Sequence, residues 1–429
     1  MLYLAAFLFL LLIGMPLAFT LLAVGLGYFL LAEQLPMVVA VQRMVAASQS
    51  FPLLAVPFFI VAGHVMNMSG ITQRLVHFAN LLVCWIAGGL AHVTIVLSAL
   101  MGGVSGSAIA DAAMQARVLG EPMVKSGLPQ GFSAAAICIS ALITACIPPS
   151  IGLILYGYVG NVSIGQLFLA GIVPGILLTL TLMLVVYLTA KFKFTELDKT
   201  HNHKPKLAEI LAAGKACIWA LLFPVILIVT IRFGIFTPSE AGAFAVVYAA
   251  LIGRFVYREL SFSKLLQAFI DSINDIGMVM LIILASGIIG YLIAYEQLPV
   301  SMAQGIQGIS QSPLLVLLIC LLFLLCVGML MEGTVTVLLL TPILVPVVQS
   351  VGIDPVHFGV LMMRVVTFGG TTPPVGVAMY TVCNIMQCLL DKFFRDAMPF
   401  YLAVGILLVL LALFPTIVMF LPNLVFSNG

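Results

Sequence analysis

The chain has 429 residues, 63% of them hydrophobic and 7% charged, with a formal net charge of +2. Soluble domains carry about 25% charged residues, so this composition and a mean hydropathy of +1.26 exclude a soluble fold and indicate an all-α polytopic membrane protein. The basic residues form no continuous face, which excludes a nucleic-acid partner and leaves the lipid bilayer.

The first apolar run, LYLAAFLFLLLIGMPLAF from Leu2, is long enough to cross a hydrocarbon core of about 30 Å as a helix. It has no basic leader and no small-residue cleavage site, so it reads as a retained span rather than a signal peptide. GMPLAFTLLAVGL (14–26) follows, and then ASQSFPLLAVPFFIVAG (47–63), where Pro52 and Pro57 predict an interrupted, hairpin-like segment. MGGVSGSAIAD (101–111) places glycines, serines and an aspartate where a membrane helix would carry leucine. CIPPSIG (146–152) then sets a double proline inside an apolar segment.

The longest polar stretch comes next and holds Lys191, Lys193, Lys199, Lys204, Lys206 and Lys215. The positive-inside rule puts it in the cytoplasm. It divides the chain into a first repeat (1–190), a cytoplasmic loop (191–215) and a second repeat (216–429), and leaves no room for a separate extramembrane domain.

The second repeat presents similar landmarks in the same order. FTPSEAGAFAVVYAALI (236–252) matches the first helix. DIGMVMLIILASGIIGYLIAYEQLP (275–299) is predicted to be the second hairpin, broken at Ala285, Ser286 and Gly287. MEGTVTV (331–337) and GTTPPVG (370–376) match the polar break and the double proline. Arg43, Arg74, Arg117 and Lys125 read as cytoplasmic, as do Lys392 and Arg395. The two double-proline segments then run in opposite directions, which makes the chain an inverted repeat of the kind many secondary transporters use. Arg254, Arg258 and Lys264 fit this only if an oblique or horizontal helix lies around 259–274.

In lipid, non-helical backbone is tolerated only where protein or a water-filled cavity surrounds it. Gly102, Gly103 and Gly106 weaken the helix, and Ser105 and Ser107 offer hydroxyl oxygens. Freed carbonyls and such hydroxyls form a neutral oxygen cage suited to Na⁺, while the N-terminus of a following half-helix attracts an anion. Gly333, Thr334 and Thr336 repeat this in the second half. Pro148, Pro149 and Ser150, with Thr371, Thr372 and Pro373, supply helix stops and further oxygens beside a substrate. The alternative is that the small residues serve close helix packing.

Asp111 and Glu332 are costly at membrane depth. Each is either functional or a structural acid hydrogen-bonded to backbone. Arg364 could meet the anionic substrate, neutralise Asp275, or snorkel. The cysteines lack metal spacing and, like the scattered histidines, read as structural. Gly103-Val104-Ser105-Gly106 matches the GxSG of rhomboid-type intramembrane serine proteases. Only His201, His203 and His357 lie downstream as a base, and the repeat would go unexplained, so an enzyme is not expected. No phosphate-loop motif is present.

GGVSGSAIADAAMQARVLGEPMVKSGLPQGFSAAAICISALITACIPPSIGLILYG resembles the first-half signature of the large membrane subunit of tripartite ATP-independent periplasmic (TRAP) transporters. VGMLMEGTVTVLLLTPILVPVV, HFGVLMM and TTPPVG resemble the second-half signature, and SFPLLAVPFFIVAG the first hairpin. The resemblance runs from about residue 8 to 420. It implies an inverted repeat with two re-entrant hairpins and unwound helices, similar to the ion transporter superfamily and moving by an elevator mechanism. It also implies Na⁺-coupled import of a small organic acid at the bacterial inner membrane. Its partners would be a small four-helix membrane subunit and a periplasmic substrate-binding protein, with no cofactor besides the coupling ion. By the same resemblance the Na⁺ ligands lie around Ser50 to Pro52 with Gly103, Ser105, Gly106 and Ser107, and around Ala285, Ser286 and Gly287 with Gly333, Thr334 and Thr336. RVVTFGGTT departs from the Asn-rich stretch common in the family before the second double proline. A stand-alone Na⁺/dicarboxylate symporter of similar architecture is the alternative reading.

Overall fold

The computed structural model describes residues 2–32, 35–103, 106–193, 204–309 and 312–426, and those residues contain helices and no strand. The chain begins with α1 (Leu2–Leu12), α2 (Leu17–Leu31) and α3 (Met37–Ser48). A 3-10 turn at Phe51–Leu54 leads into α4 (Ala55–Met68) and α5 (Ile71–Val83). The helices α6 (Gly89–Gly102) and α7 (Ala108–Lys125) pack on each other as a hairpin. The half is completed by α8 (Gln130–Thr144), α9 (Ile151–Val159) and the long α10 (Ile164–Lys193).

The second half follows the same plan: α11 (Leu207–Arg232), α12 (Pro238–Leu251), α13 (Phe262–Tyr295) and α14 (Leu298–Ile309). The hairpin of α15 (Pro313–Gly328) and α16 (Gly333–Ser350) comes next. Then follow α17 (Pro355–Gly369), α18 (Val377–Met386), α19 (Leu390–Leu413) and α20 (Pro415–Phe426). Among the described residues, seven helical segments are long and apolar enough to cross a membrane.

Local chemistry sets the shorter helices. Asp354 caps α17, accepting from the Val356 N–H at 2.7 Å, with Pro355 as the first helical residue. Ser107 and Ser150 occupy the same cap position before α7 and α9. At 1.5 Å per residue, the 14 residues of α6 and the 15 of α8 and α17 reach about 21–23 Å, short of a 30 Å core. These helices therefore end at membrane depth. Their burial agrees, because α8 from Gly131 to Thr144 is buried on every face, as is most of α17.

Packing interlocks the halves. In the pairs that follow, exchanging each helix for its repeat-mate turns one observed contact into another. α7 packs on α18 and α16 on α9; α10 packs on α17 and α19 on α8; α4 packs on α12 and α13 on α2. This exchange is what two repeats related by a pseudo-two-fold axis produce.

Four expectations are corrected. The 47–63 segment is a bend rather than a hairpin: α3 packs on α2 and α13, while α4 packs on α12 and α13. The 275–299 segment does not break at Ala285-Ser286-Gly287. All three residues lie inside α13, whose 34 residues form one continuous helix. Ser286 satisfies its hydroxyl by donating to the Ile283 carbonyl at 2.8 Å, and Gly287 lets the Arg43 backbone and Ala47 of α3 approach closely. The re-entrant hairpins are instead α6–α7 and α15–α16. Likewise, 259–274 contains no separate oblique helix, because from Phe262 it is the first part of α13. The lysine-rich loop is shorter than expected, since Lys191 and Lys193 belong to α10 and Lys215 to α11.

Candidate functional site

Each hairpin tip meets a proline-broken helix. At the first meeting point Gly102, the last residue of α6, lies against the end of α8. A Cβ there would sit 2.7 Å from the Ile147 Cβ. Beyond the tip, Gly106 adopts φ +61° and faces the Pro149 carbonyl, where a Cβ would approach to 2.5 Å. Both demands leave glycine as the residue that fits.

The second meeting point repeats the first with different residues. Gly328 ends α15 against Val366 and Gly369 near the end of α17; a Cβ on Gly328 would lie 2.7 Å from the Val366 carbonyl. The Gly376 N–H donates to the Met329 carbonyl at 3.0 Å, joining the break to the hairpin tip. The Ala378 N–H reaches back to the Gly370 carbonyl at 3.0 Å, folding the break on itself. The Pro148–Pro149 and Pro373–Pro374 peptides are both cis.

The geometry has a chemical consequence. At each point two helices end side by side, α6 with α8 and α15 with α17, so their last carbonyls and negative dipole ends suit a cation. At each point two helices also begin, α7 with α9 and α16 with α18, and their free N–H groups suit an anion. One difference breaks the symmetry. Where Ser107 caps α7, Glu332 caps α16, accepting from the Val335 N–H at 3.2 Å and from the Thr334 hydroxyl at 3.0 Å.

A buried polar cluster braces the first point. Asp111 Oδ2 accepts from the Ser98 hydroxyl at 2.9 Å, the Gln115 amide at 2.9 Å and the Thr144 hydroxyl at 2.6 Å. These bonds tie α6, α7 and α8 together next to the tip. Asp111 Oδ1 and Gln115 Oε1 have no protein partner.

Of the residues expected at the ion sites, Gly103, Gly106 and Ser107 lie at the first tip, and Gly333, Thr334 and Thr336 at the second. Ser105 lies outside the described residues. The Ser107 hydroxyl caps Ala110, and the Thr336 hydroxyl donates to the Glu332 carbonyl at 3.0 Å. Ser50 lies at the bend before the 3-10 turn, which packs on α9 and α12. Its neighbour Phe51 accepts from the Ser239 hydroxyl at 2.6 Å. Gly103 faces Pro224 of α11, while Gly102 and Gly106 face Ile147 and Pro149 of the proline break.

Of the residues expected around the substrate, Pro148, Pro149 and Ser150 lie in the first break, where Pro149 meets Gly106, and Thr371, Thr372 and Pro373 lie in the second. Thr371 and Thr372 donate to the Phe368 and Gly369 carbonyls at 2.8 and 2.9 Å. The Thr371 carbonyl accepts from the Tyr401 hydroxyl of α19 at 2.5 Å.

Arg364 is buried inside α17 and donates to the Pro174 and Gly171 carbonyls of α10 at 3.1 and 3.4 Å. Its Nε has no partner, and among the described residues no carboxylate pairs with it. Asp275 instead pairs with His64 at 2.9 Å. Sequence reasoning missed Gly328 and Gly376 as contact glycines and missed the Ser98–Gln115–Thr144 bracket. The doublets Gly102-Gly103 and Gly369-Gly370 were the available signal, since paired glycines at a helix end permit a close backbone approach.

Comparison with known proteins agrees with this architecture. A family model described as "Tripartite ATP-independent periplasmic transporter, DctM component" matches residues 4–417. The sialic acid TRAP transporter large permease protein SiaM of Vibrio cholerae is 38% identical over 97% of this chain and 96% of its own. The 2,3-diketo-L-gulonate TRAP transporter large permease protein YiaN of Escherichia coli is 35% identical over 95% of each. In fold alone, the crystal structure of the Alcanivorax borkumensis YdaH transporter is similar, with a TM-score of 0.60 at 14% identity, covering 86% of this chain and 87% of that one.

Proposed function

Because the chain belongs to the DctM family of large permease subunits of tripartite ATP-independent periplasmic (TRAP) transporters, we propose that it imports a small organic acid anion in a Na⁺-coupled cycle. It is a multi-pass inner-membrane transporter subunit and not an enzyme. Its partners in this reading are a small four-helix membrane subunit and a periplasmic substrate-binding protein. Residues 1–190 and 216–429 act as the two repeats, joined through the end of α10, the lysine-rich stretch and the start of α11.

The observation that carries the reading is the doubled juxtaposition of hairpin tip and proline break. Two pairs of helix C-termini offer carbonyls to Na⁺, and two pairs of helix N-termini offer N–H groups to an anion. Na⁺ bound at Gly103 to Ser107 with Pro148 to Ser150, and at Met329 to Thr334 with Thr371 to Pro373, would hold each tip closed. The anion then binds between the tips, and the hairpin-bearing body moves across the membrane as an elevator. The substrates for which the relatives are named, sialic acid, 2,3-diketo-L-gulonate and C4-dicarboxylates, support an organic acid.

The test is reconstitution of the chain with its small subunit in liposomes, followed by uptake of labelled organic acids. Uptake is expected only when an inward Na⁺ gradient and the binding protein are both present. Na⁺-driven uptake without the binding protein would instead identify a stand-alone symporter. Uptake indifferent to Na⁺ would remove the ion from the mechanism.

A further inference from the structure

The α18 half-helix ends in a motif whose two contact residues are both cysteines. Gln387 adopts φ +51° and ψ +38°, and its N–H reaches the Asn384 carbonyl at 3.3 Å. The Cys388 N–H reaches the Cys383 carbonyl at 2.9 Å. This pair of bonds defines a Schellman cap, in which the side chains three positions before and two positions after the helix end are brought into contact. In most helices an apolar pair fills that contact. Here Cys383 and Cys388 fill it, both buried, and the Cys388 thiol donates to the Leu389 carbonyl at 3.5 Å.

Both residues also border an open cleft of about 550 Å³ with Tyr380, Thr381, Asn384 and Gln387. The cap is anchored from outside as well, because the Gln130 amide of α8 donates to the Met386 carbonyl at 2.7 Å. A fixed cap holds the two sulfurs in register without needing a ligand to order them. The remaining cysteines share no comparable motif: Cys138, Cys217 and Cys320 are buried along helices, Cys146 is buried in the break after α8, and Cys84 and Cys326 stand apart.

We propose that Cys383 and Cys388 form a dithiol binding site for a trivalent, thiophilic centre of the organoarsenical class. With phenylarsine oxide, two As–S bonds form and the As–O bond breaks. The oxygen leaves as water with the two thiol protons, and arsenic stays trivalent, so no oxidant or reductant takes part. A pre-formed pair closes a chelate ring, whereas an isolated thiol makes a single, readily exchanged bond. Occupation would pin the C-terminal end of α18, whose other end carries the Gly376 contact to the hairpin tip.

The test does not use the transport assignment, because it is read on the protein itself. The full-length chain, purified with its small subunit, is treated with phenylarsine oxide and then with N-ethylmaleimide, and alkylation is mapped by peptide mass spectrometry. Cys383 and Cys388 are expected to be protected together. Dithiothreitol should restore their alkylation, and an equal thiol concentration of 2-mercaptoethanol should not. In Cys388→Ala, protection of Cys383 should need about tenfold more arsenical or more. Equal alkylation of both cysteines with and without arsenical overturns the site. So does protection that 2-mercaptoethanol reverses as readily as dithiothreitol. The wild-type measurement stands alone should Cys388→Ala fail to fold.

Discussion

The Gly376 N–H donates to the Met329 carbonyl at 3.0 Å, tying a proline-broken helix to the tip of a re-entrant hairpin. Its counterpart in the first half is the approach of Gly106 to the Pro149 carbonyl. The two contacts use different atoms for one purpose, holding backbone against backbone where four helix ends meet. Each half of the molecule therefore closes its own tip on its own break.

Those contacts set the first prediction. A Cβ added at Gly106 (φ +61°) or Gly376 (φ +50°) would meet a backbone carbonyl within 3 Å, while one added at Gly234 (φ +66°) would enter open space. Alanine at any of the three carries a left-handed backbone cost of about 1–2 kcal/mol. Only the first two also collide with carbonyls. Gly106→Ala and Gly376→Ala are expected to lower Na⁺-driven uptake about tenfold or more relative to Gly234→Ala at equal expression. Equal activity of all three would sink the tip-and-break account.

Asp111 supplies the second. Asp111→Leu strands the buried Ser98 hydroxyl and one Gln115 N–H, while Thr144 keeps the Ser98 carbonyl, at a cost of about 3 kcal/mol. Asp111→Asn keeps a carbonyl oxygen among them and should lose less. Thermal unfolding of the detergent-solubilised protein measures the order, which is expected to run wild type, Asn, Leu in falling Tm. An Asp111→Leu protein as stable as wild type would show the bracket to be idle.

For Arg364 the physics predicts an order that charge conservation would not. Its carbonyl partners at Gly171 and Pro174 lie within the continuous α10, so they are not left bare when it is removed. Replacing a buried ion by a well-packed apolar side chain is often close to neutral, whereas a buried cation with poorer hydrogen bonding is costly. Arg364→Met should therefore stay within about 1 kcal/mol of wild type, and Arg364→Lys should lose about 2 kcal/mol. A Lys variant more stable than the Met variant contradicts this.

The continuity of α13 yields the last. Because the Ser286 hydroxyl is satisfied within its own helix, Ser286→Ala should leave the Na⁺ concentration for half-maximal uptake within about twofold of wild type. Gly287→Leu should behave differently, since its side chain would enter the space held by the Arg43 backbone and Ala47. Loss of α3–α13 packing is expected to lower its Tm. A large shift in Na⁺ dependence for Ser286→Ala would return that residue to the ion site.

The residues around Gly102 to Ser107 and the double prolines at 148–149 and 373–374 were legible as breaks because helix disruption is a local property. A missing N–H or a residue without a Cβ acts on its own turn, whatever surrounds it. Apolar run length likewise marked the membrane class, and the matched order of landmarks marked the repeat. Ala285-Ser286-Gly287 carried the same local signal and misled. One weak turn inside 34 helical residues is overridden when its glycine lets a neighbouring helix pack closely and its serine bonds back to its own backbone.

The sequence by itself therefore determined that this chain crosses the membrane as helices, repeats its plan and interrupts that plan at polar, glycine-rich points. Only the tertiary structure decided which interruptions face one another. Ser50 was expected at a hairpin tip and Gly103 in the unwound stretch facing it, yet Ser50 lies at a bend beside α9 and α12 and Gly103 lies against Pro224. The physical reason is that a cation site is made by several helix ends converging within hydrogen-bonding distance. Convergence depends on helix packing across hundreds of residues, which no short stretch of sequence encodes.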